Sequence, residues 1–234
     1  MASPYRMRWG DAWRSLQKLD RDPDDTAAVF EIIAALTGKS GERQFRRFAR
    51  TATGRDVLAR EGELLDRLRD RTTLESLPEG SLGREYAAFT ARENLSADGL
   101  VDASEEGMPD RGEELDADRR RFFDYLRDSH DLQHVVTGYG RDLRGELALL
   151  AFGLQQGWHH GVGLIVGWAY LWSSRDERRL VHAAWRRARR ARWLDGADWE
   201  ALLAMPLERV REELAVGPPP EYEPVWSSAA PAAS

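Results

Sequence analysis

Cysteine is missing from all 234 residues. No disulfide framework, thiolate metal site or cysteine nucleophile is therefore available, and a reducing interior suits the chain. Without soft ligands, copper(I) and iron–sulfur clusters are disfavoured. Lysine is almost missing too. Only Lys18 and Lys39 occur, so nearly all of the 34 positive charges are arginine, which reads as a GC-rich coding bias and not as a phosphate-binding device. The net charge is −6 and the charged 32% carries both signs along the chain, so nucleic acid is not an expected partner. No stretch shows sustained strand alternation between hairpin signals, which predicts an all-α fold. The N-terminus MASPYRMRWGDAWRSLQKLD has no uninterrupted apolar core, meets Asp11 early and is short of serine. Neither a secretory signal nor a mitochondrial transit peptide is expected from it, and a bacterial cytoplasmic protein is the default.

What is present is helical periodicity. Thr26 to Leu36 carries apolar residues in helical steps after Asp24 and Asp25, either of which can cap. Gly41 to Arg50, Asp56 to Arg69 and Arg84 to Arg92 read the same way, the last after the turn LPEGSLG. Ser96 to Asp116, rich in Gly, Asp and Glu with Pro109, reads as a surface loop. The length suits one domain, a helical bundle over 1–222, and the Pro- and Ala-rich tail at 223–234 is expected to be disordered.

The run SHDLQHVVTGYGRDLRGEL at 129–147 concentrates the chemistry. A helix over 121–136 places His130 and His134 one turn apart on one face, with Asp131 on the flank, so that one cation would meet all three. The Gly138-Tyr139-Gly140 break lets the chain reverse and return Glu146 to the same point. A histidine on an apolar face is more often a hydrogen-bonded core residue than a ligand. Two inward histidines with two carboxylates nearby shift the balance to a divalent metal, with zinc, iron, cobalt and manganese all open.

The most apolar stretch, Leu147 to Trp172, is long enough to span a bilayer, but Gln155, Gln156, His159 and His160 at its centre favour a buried or lipid-contacting helix. Gly153, Gly157 and Gly161 strip one face at four-residue spacing. Tight helix packing is the ordinary reading of such a face, and a groove for a long hydrocarbon chain is the functional one. The glycines and nine tryptophans also admit a homodimer interface, although core packing accounts for both. Arg175 to Arg192 is an amphipathic helix whose arginine face is either solvated or set against an anionic membrane. Asp198 to Val216 is a further helix interrupted by Pro206.

The order of these pieces resembles the coenzyme Q biosynthesis protein 4 family. Three passages carry the likeness: LPEGSLGREYAAF at 77–89, HDLQHVVTGYGRDLRGELALLAF at 130–152 and DWEALLAMPLERVREELAVGPPPEY at 198–222. The middle one has the family's specific pattern of His-Asp, two residues, His, eleven residues and Glu. No distinctive family signature is legible before about Leu77. The resemblance implies an all-helical, single-domain ubiquinone-biosynthesis protein, peripherally associated with a membrane, with a divalent metal between two helices on His130, Asp131, His134 and Glu146. It also implies a polyprenylated quinone precursor as substrate in an apolar lipid-binding groove, and other ubiquinone-biosynthesis enzymes as partners. The activity it implies is oxidative removal of a ring carboxylate with hydroxylation at the same carbon. A bacterial inner membrane is the expected surface.

Arg141 and Arg144 are candidates to meet the substrate carboxylate and Tyr139 to line the head-group pocket, with capping or solvated roles equally open. The greasy helix after Glu146 would place the isoprenoid tail beside Gly153, Gly157 and Gly161. A His-Asp phosphohydrolase needs a further histidine upstream of the doublet, and the five histidines here all lie at 130 or beyond. A zinc peptidase wants Glu where Asp131 stands. The non-enzymatic alternative is a lipid-binding scaffold with a closed structural zinc.

Overall fold

A computed structural model describes residues 6–60, 62–93, 98–108 and 115–227. Among them there is no strand, and the helices form one domain: α1 (Trp9–Arg21), α2 (Thr26–Leu36), α3 (Gly38–Phe48), α4 (Ala52–Ala59), α5 (Leu64–Arg69), α6 (Arg71–Ser76), α7 (Leu82–Arg92) and α8 (Gly99–Gly107). They continue with α9 (Ala117–Asp128), α10 (His130–Thr137), α11 (Leu143–Gln156), α12 (His160–Trp172), α13 (Arg175–Ala188), α14 (Trp199–Leu202) and α15 (Leu207–Glu213). Short polar side chains start many of them. Asp25 accepts from the Ala28 N–H at 2.8 Å, Asp116 from Arg119 at 2.9 Å, and Ser174 forms a reciprocal capping box with Glu177.

The main core gathers Phe45, Phe48, Phe122, Tyr125, Leu132, Val136, Phe152 and Trp199 around α10. Every residue of α10 from Asp131 to Thr137 is buried, because α7, α11 and α15 pack on different sides of it. A second cluster joins Ala12 and Leu16 of α1, Ile32 and Leu36 of α2, and Ile165 of α12.

Three expectations are corrected. The supposed loop before the histidines contains α8, which packs on α2 closely enough that a Cβ on Gly107 would run into the Ala27 carbonyl; residues 94–97 and 109–114 lie outside the described ones. The apolar stretch 147–172 is two helices, and no described helix is long and apolar enough to cross a membrane. The chain breaks at 157–159, where His159 leaves the helical conformation and its Nδ1 accepts from the Gly161 N–H at 3.1 Å to start α12. The 223–234 tail is not free at its start: the Val225 N–H donates to Asp142 at 3.0 Å and its carbonyl accepts from Leu143 at 2.8 Å. Residues 228–234 lie outside the described ones.

Arginine closes several helix ends. Arg211 donates to the carbonyls of Val135 and Val136 at 3.1 and 3.0 Å, and Arg187 to that of Thr137 at 3.0 Å. Arg47 reaches Gln156 at the end of α11, and Arg178 reaches Tyr170 and Leu171 at the end of α12. These carbonyls have no partner inside their helices and carry the negative end of the helix dipole, so a guanidinium satisfies both needs. Arg178 and Arg187 are therefore not part of a simply solvated arginine face.

Candidate metal centre

The end of α10 sets the geometry. Gly138 takes φ +74°, the left-handed conformation that closes a helix and favours glycine, and its N–H donates to the His134 carbonyl at 2.8 Å. The chain then turns so that the Tyr139 carbonyl accepts from His134 Nδ1 at 2.9 Å. With Nδ1 committed to that carbonyl, Nε2 is the nitrogen that can serve as a ligand once it carries no proton. Asp142 caps α11 by accepting from the N–H groups of Arg144 and Gly145, and one turn later Glu146 projects back towards the histidines.

His130, His134 and Glu146 place their ligand atoms within 4.8 Å of one another. The two Nε2 atoms are 3.2 Å apart, His134 Nε2 lies 3.3 Å from Glu146 Oε1, and His130 Nε2 lies 3.7 Å from Oε2. Ligands at ordinary zinc distances in a tetrahedron are separated by about 3.4 Å, so the three groups fit a small divalent cation with little movement. Burial presses the His134 pKa down, but Glu146, Asp131 and the Tyr139 carbonyl together raise it above its ordinary value. Burial presses Glu146 up, while both histidines hold it well below the usual carboxylate range. The two shifts are the mutual stabilisation of imidazolium and carboxylate, and a cation would compete with the imidazole proton for the same place. Phe89 stacks on the His134 ring at 5.9 Å and seals its other side.

Asp131 is not among the three. It is buried on α10 next to His130, and successive helical residues point about 100° apart, so the two do not share a face. Its charge is felt at Tyr86 and His134 without its reaching the ligand cluster.

His130, Arg141 and Glu146 line a groove of about 2140 Å³, whose walls include Ile33 of α2, Phe123 of α9, Leu150 of α11 and Ile165 of α12. His134 lies behind them, its side chain wholly shielded. The other substrate candidates divide. Arg141 stands in the groove with Nε 3.4 Å from Glu146. Arg144 also borders it, but its guanidinium is held by Glu177 and the Glu223 carbonyl. Tyr139 does not line the groove: its ring is buried with Arg187 stacked over it, and only its carbonyl serves the site. Gly153 opens onto free space in the groove, Gly157 is covered by Gln44, and Gly161 presses α12 against the Ile32 and Ile33 backbone. Since Gly157 ends α11, the glycine period never runs along one helix.

Reasoning from the sequence alone missed Tyr222. Its hydroxyl accepts from the Gly140 N–H at 2.7 Å and donates to Asp142 at 2.8 Å, 82 and 80 positions back along the chain, and local spacing carries no signal for such a contact. It also missed the groove's aromatic rim, where Trp9, Trp172 and Trp226 are exposed and Trp13 meets Trp168 edge-on at 5.5 Å.

The chain matches the family model of the coenzyme Q (ubiquinone) biosynthesis protein Coq4 over residues 10–220, so the likeness begins well before Leu77. A ubiquinone biosynthesis protein of Aspergillus flavus mitochondria is 28% identical over 179 residues, covering 74% of this chain and 59% of that protein. The Aspergillus fumigatus counterpart is 30% identical over 204 residues, covering 83% and 69%. The chain thus spans about three-fifths of the length of the first of these relatives. A Nostoc punctiforme crystal structure, provisionally described as a ubiquinone biosynthesis protein, superposes with TM-score 0.63 at 19% identity, covering 91% of this chain and all of that one, which shows the shared fold. The expectation of a bacterial cytoplasmic protein is overturned by these relatives, which are mitochondrial proteins of fungi. By the extent of the family match and by the Aspergillus fumigatus relative, the chain belongs to the coenzyme Q (ubiquinone) biosynthesis protein Coq4 family.

Proposed function

We propose that the protein holds a divalent cation on His130, His134 and Glu146 and acts there on a polyprenylated ring precursor of ubiquinone. The reaction is oxidative decarboxylation: the bond from ring carbon to carboxylate breaks, carbon dioxide leaves, a hydroxyl whose oxygen comes from water takes its place at the same carbon, and the two electrons released reduce dioxygen to hydrogen peroxide. The observation that carries this reading is a three-ligand cluster open on its groove side. Structural zinc is normally closed by four protein ligands, whereas catalytic sites keep a position for substrate. When bound, the cation would supply Lewis-acid stabilisation of the developing charge.

The residues divide the remaining work. Arg141, beside Glu146 in the groove, is the cationic partner for the ring carboxylate. The tail lies along Leu147, Leu150 and Gly153, where the missing side chain leaves width for it. The tryptophans at the rim rest in a membrane interface, so that the precursor enters from the bilayer. The other ubiquinone-biosynthesis enzymes would supply and consume that lipid.

The test is mass spectrometry of quinone intermediates in cells whose sole copy carries His134→Ala or, at a partly exposed position, Glu146→Gln, at matched protein level. Accumulation of a polyprenylated ring that still bears its carboxylate, with ubiquinone lost, supports the reading. Normal ubiquinone in both variants overturns it and leaves a lipid-binding scaffold.

A further inference from the structure

The metal cluster depends on a loop, Gly138 to Asp142, that is itself held from far away. The Tyr222 hydroxyl takes a hydrogen bond from the Gly140 N–H at 2.7 Å and gives one to Asp142 Oδ2 at 2.8 Å. The other oxygen of Asp142 accepts from Arg144, Gly145 and Val225. One carboxylate thereby joins the C-terminal segment to the first turn of α11, the turn that presents Glu146. A side-chain carbon on either Gly140 or Gly145 would crowd the Tyr222 oxygen, so the slot that receives it is cleared by two glycines. Pro219 lies over Gly138 so closely that a Cβ there would collide with its ring. The segment 219–225 is thus fitted to the loop at both ends.

We propose that Tyr222 is a positioning residue for the metal centre. By fixing Gly140 it holds the neighbouring Tyr139 carbonyl against His134 Nδ1, which keeps the proton there and leaves Nε2 as a ligand. By fixing Asp142 it sets the direction in which α11 delivers Glu146. Partners one step removed from a metal ligand ordinarily tune affinity by about 10- to 100-fold. The proposal rests on the cluster being a metal site, and a measurement on metal-free protein separates the two ideas.

The test compares Tyr222→Phe with Tyr125→Phe. Tyr125 is a matched control: its buried hydroxyl likewise makes two hydrogen bonds, donating to the Ala197 carbonyl at 2.6 Å and accepting from the Trp199 N–H at 3.1 Å, and neither goes to the loop. Imidazole nitrogen NMR on metal-free protein, taken at a pH where His134 is neutral and assigned with His134→Ala, reads the tautomer, and cobalt(II) titration reads affinity. The expected result is loss of the uniform Nδ1–H tautomer and a cobalt affinity lower by about 10- to 100-fold in Tyr222→Phe, with both unchanged in Tyr125→Phe. An intact tautomer signal in Tyr222→Phe overturns the proposal, as does an equal loss in Tyr125→Phe. Wild-type protein that fails to take up cobalt would refute the metal reading, while the tautomer result still decides the role of Tyr222.

Discussion

The Tyr139 backbone carbonyl lies 2.9 Å from His134 Nδ1, five residues back along the chain, and this bond fixes the orientation of a buried imidazole whose Nε2 faces His130 and Glu146. The ring is shielded from water and stacked on Phe89, so no solvent competes for either nitrogen. If the site takes a cation as proposed, Glu146→Ala should lower zinc or cobalt affinity by more than the about 10- to 100-fold typical of outer partners. Chelator competition at pH 7 measures it, and an unchanged affinity would remove Glu146 from the site.

Stability should depend on His159. Burial holds its pKa at about 4, and the imidazole accepts from Gly161 at the start of α12, a bond that protonation destroys. The unfolded chain therefore binds the proton first. Stability is complete above about 6.5 and falls as the pH drops towards 4, by on the order of 3 kcal/mol. Asp128 acts in the opposite direction, since burial raises it to about 6. The readout is accordingly the difference in urea midpoint between wild type and His159→Gln from pH 7 to pH 5, and parallel curves would refute the assignment.

The glycines should separate by function. Gly161→Leu has backbone in its way and should destabilise the protein by about 1–3 kcal/mol, lowering Tm. Gly153→Leu opens into the groove and should leave Tm nearly unchanged. If the tail lies there, it should weaken binding of a polyprenyl phenol in a fluorescence-quenching titration. Equal Tm losses in the two variants would contradict this division.

Arg211 should matter more than an ordinary surface arginine. Its two bonds to the last carbonyls of α10 carry a full charge, and Arg211→Ala should cost about 2–3 kcal/mol in urea denaturation. A loss below about 0.5 kcal/mol, the usual surface value, would show that solvent replaces the cap.

Local chemistry was readable in the sequence. The cap at Asp25, the helix from Thr26 to Leu36, the turn at Gly138 and the return of Glu146 all follow from contacts a few residues apart. What was hidden depended on partners remote in sequence. The roles of Arg187 and Arg211 rest on bonds 50 and 75 positions away, so an arginine-rich composition could not distinguish an exposed face from a set of helix caps. Asp131, three residues before His134 and so expected on the flank of the site, is buried on α10 and does not join the three clustered groups, because a flank position on a helix can face a different neighbour. The divided apolar stretch was misread because hydrophobicity averaged over 147–172 conceals the break at Gly157.

His134 is sealed in the interior while His130 and Glu146 are each about 30% exposed towards the groove. An ion held by these three would have one doorway, the same one a greasy tail would use. Loading would then be ordered, with the ion seated first and the lipid behind it acting as a stopper. The lipid's departure would set the pace at which a chelator can strip the site.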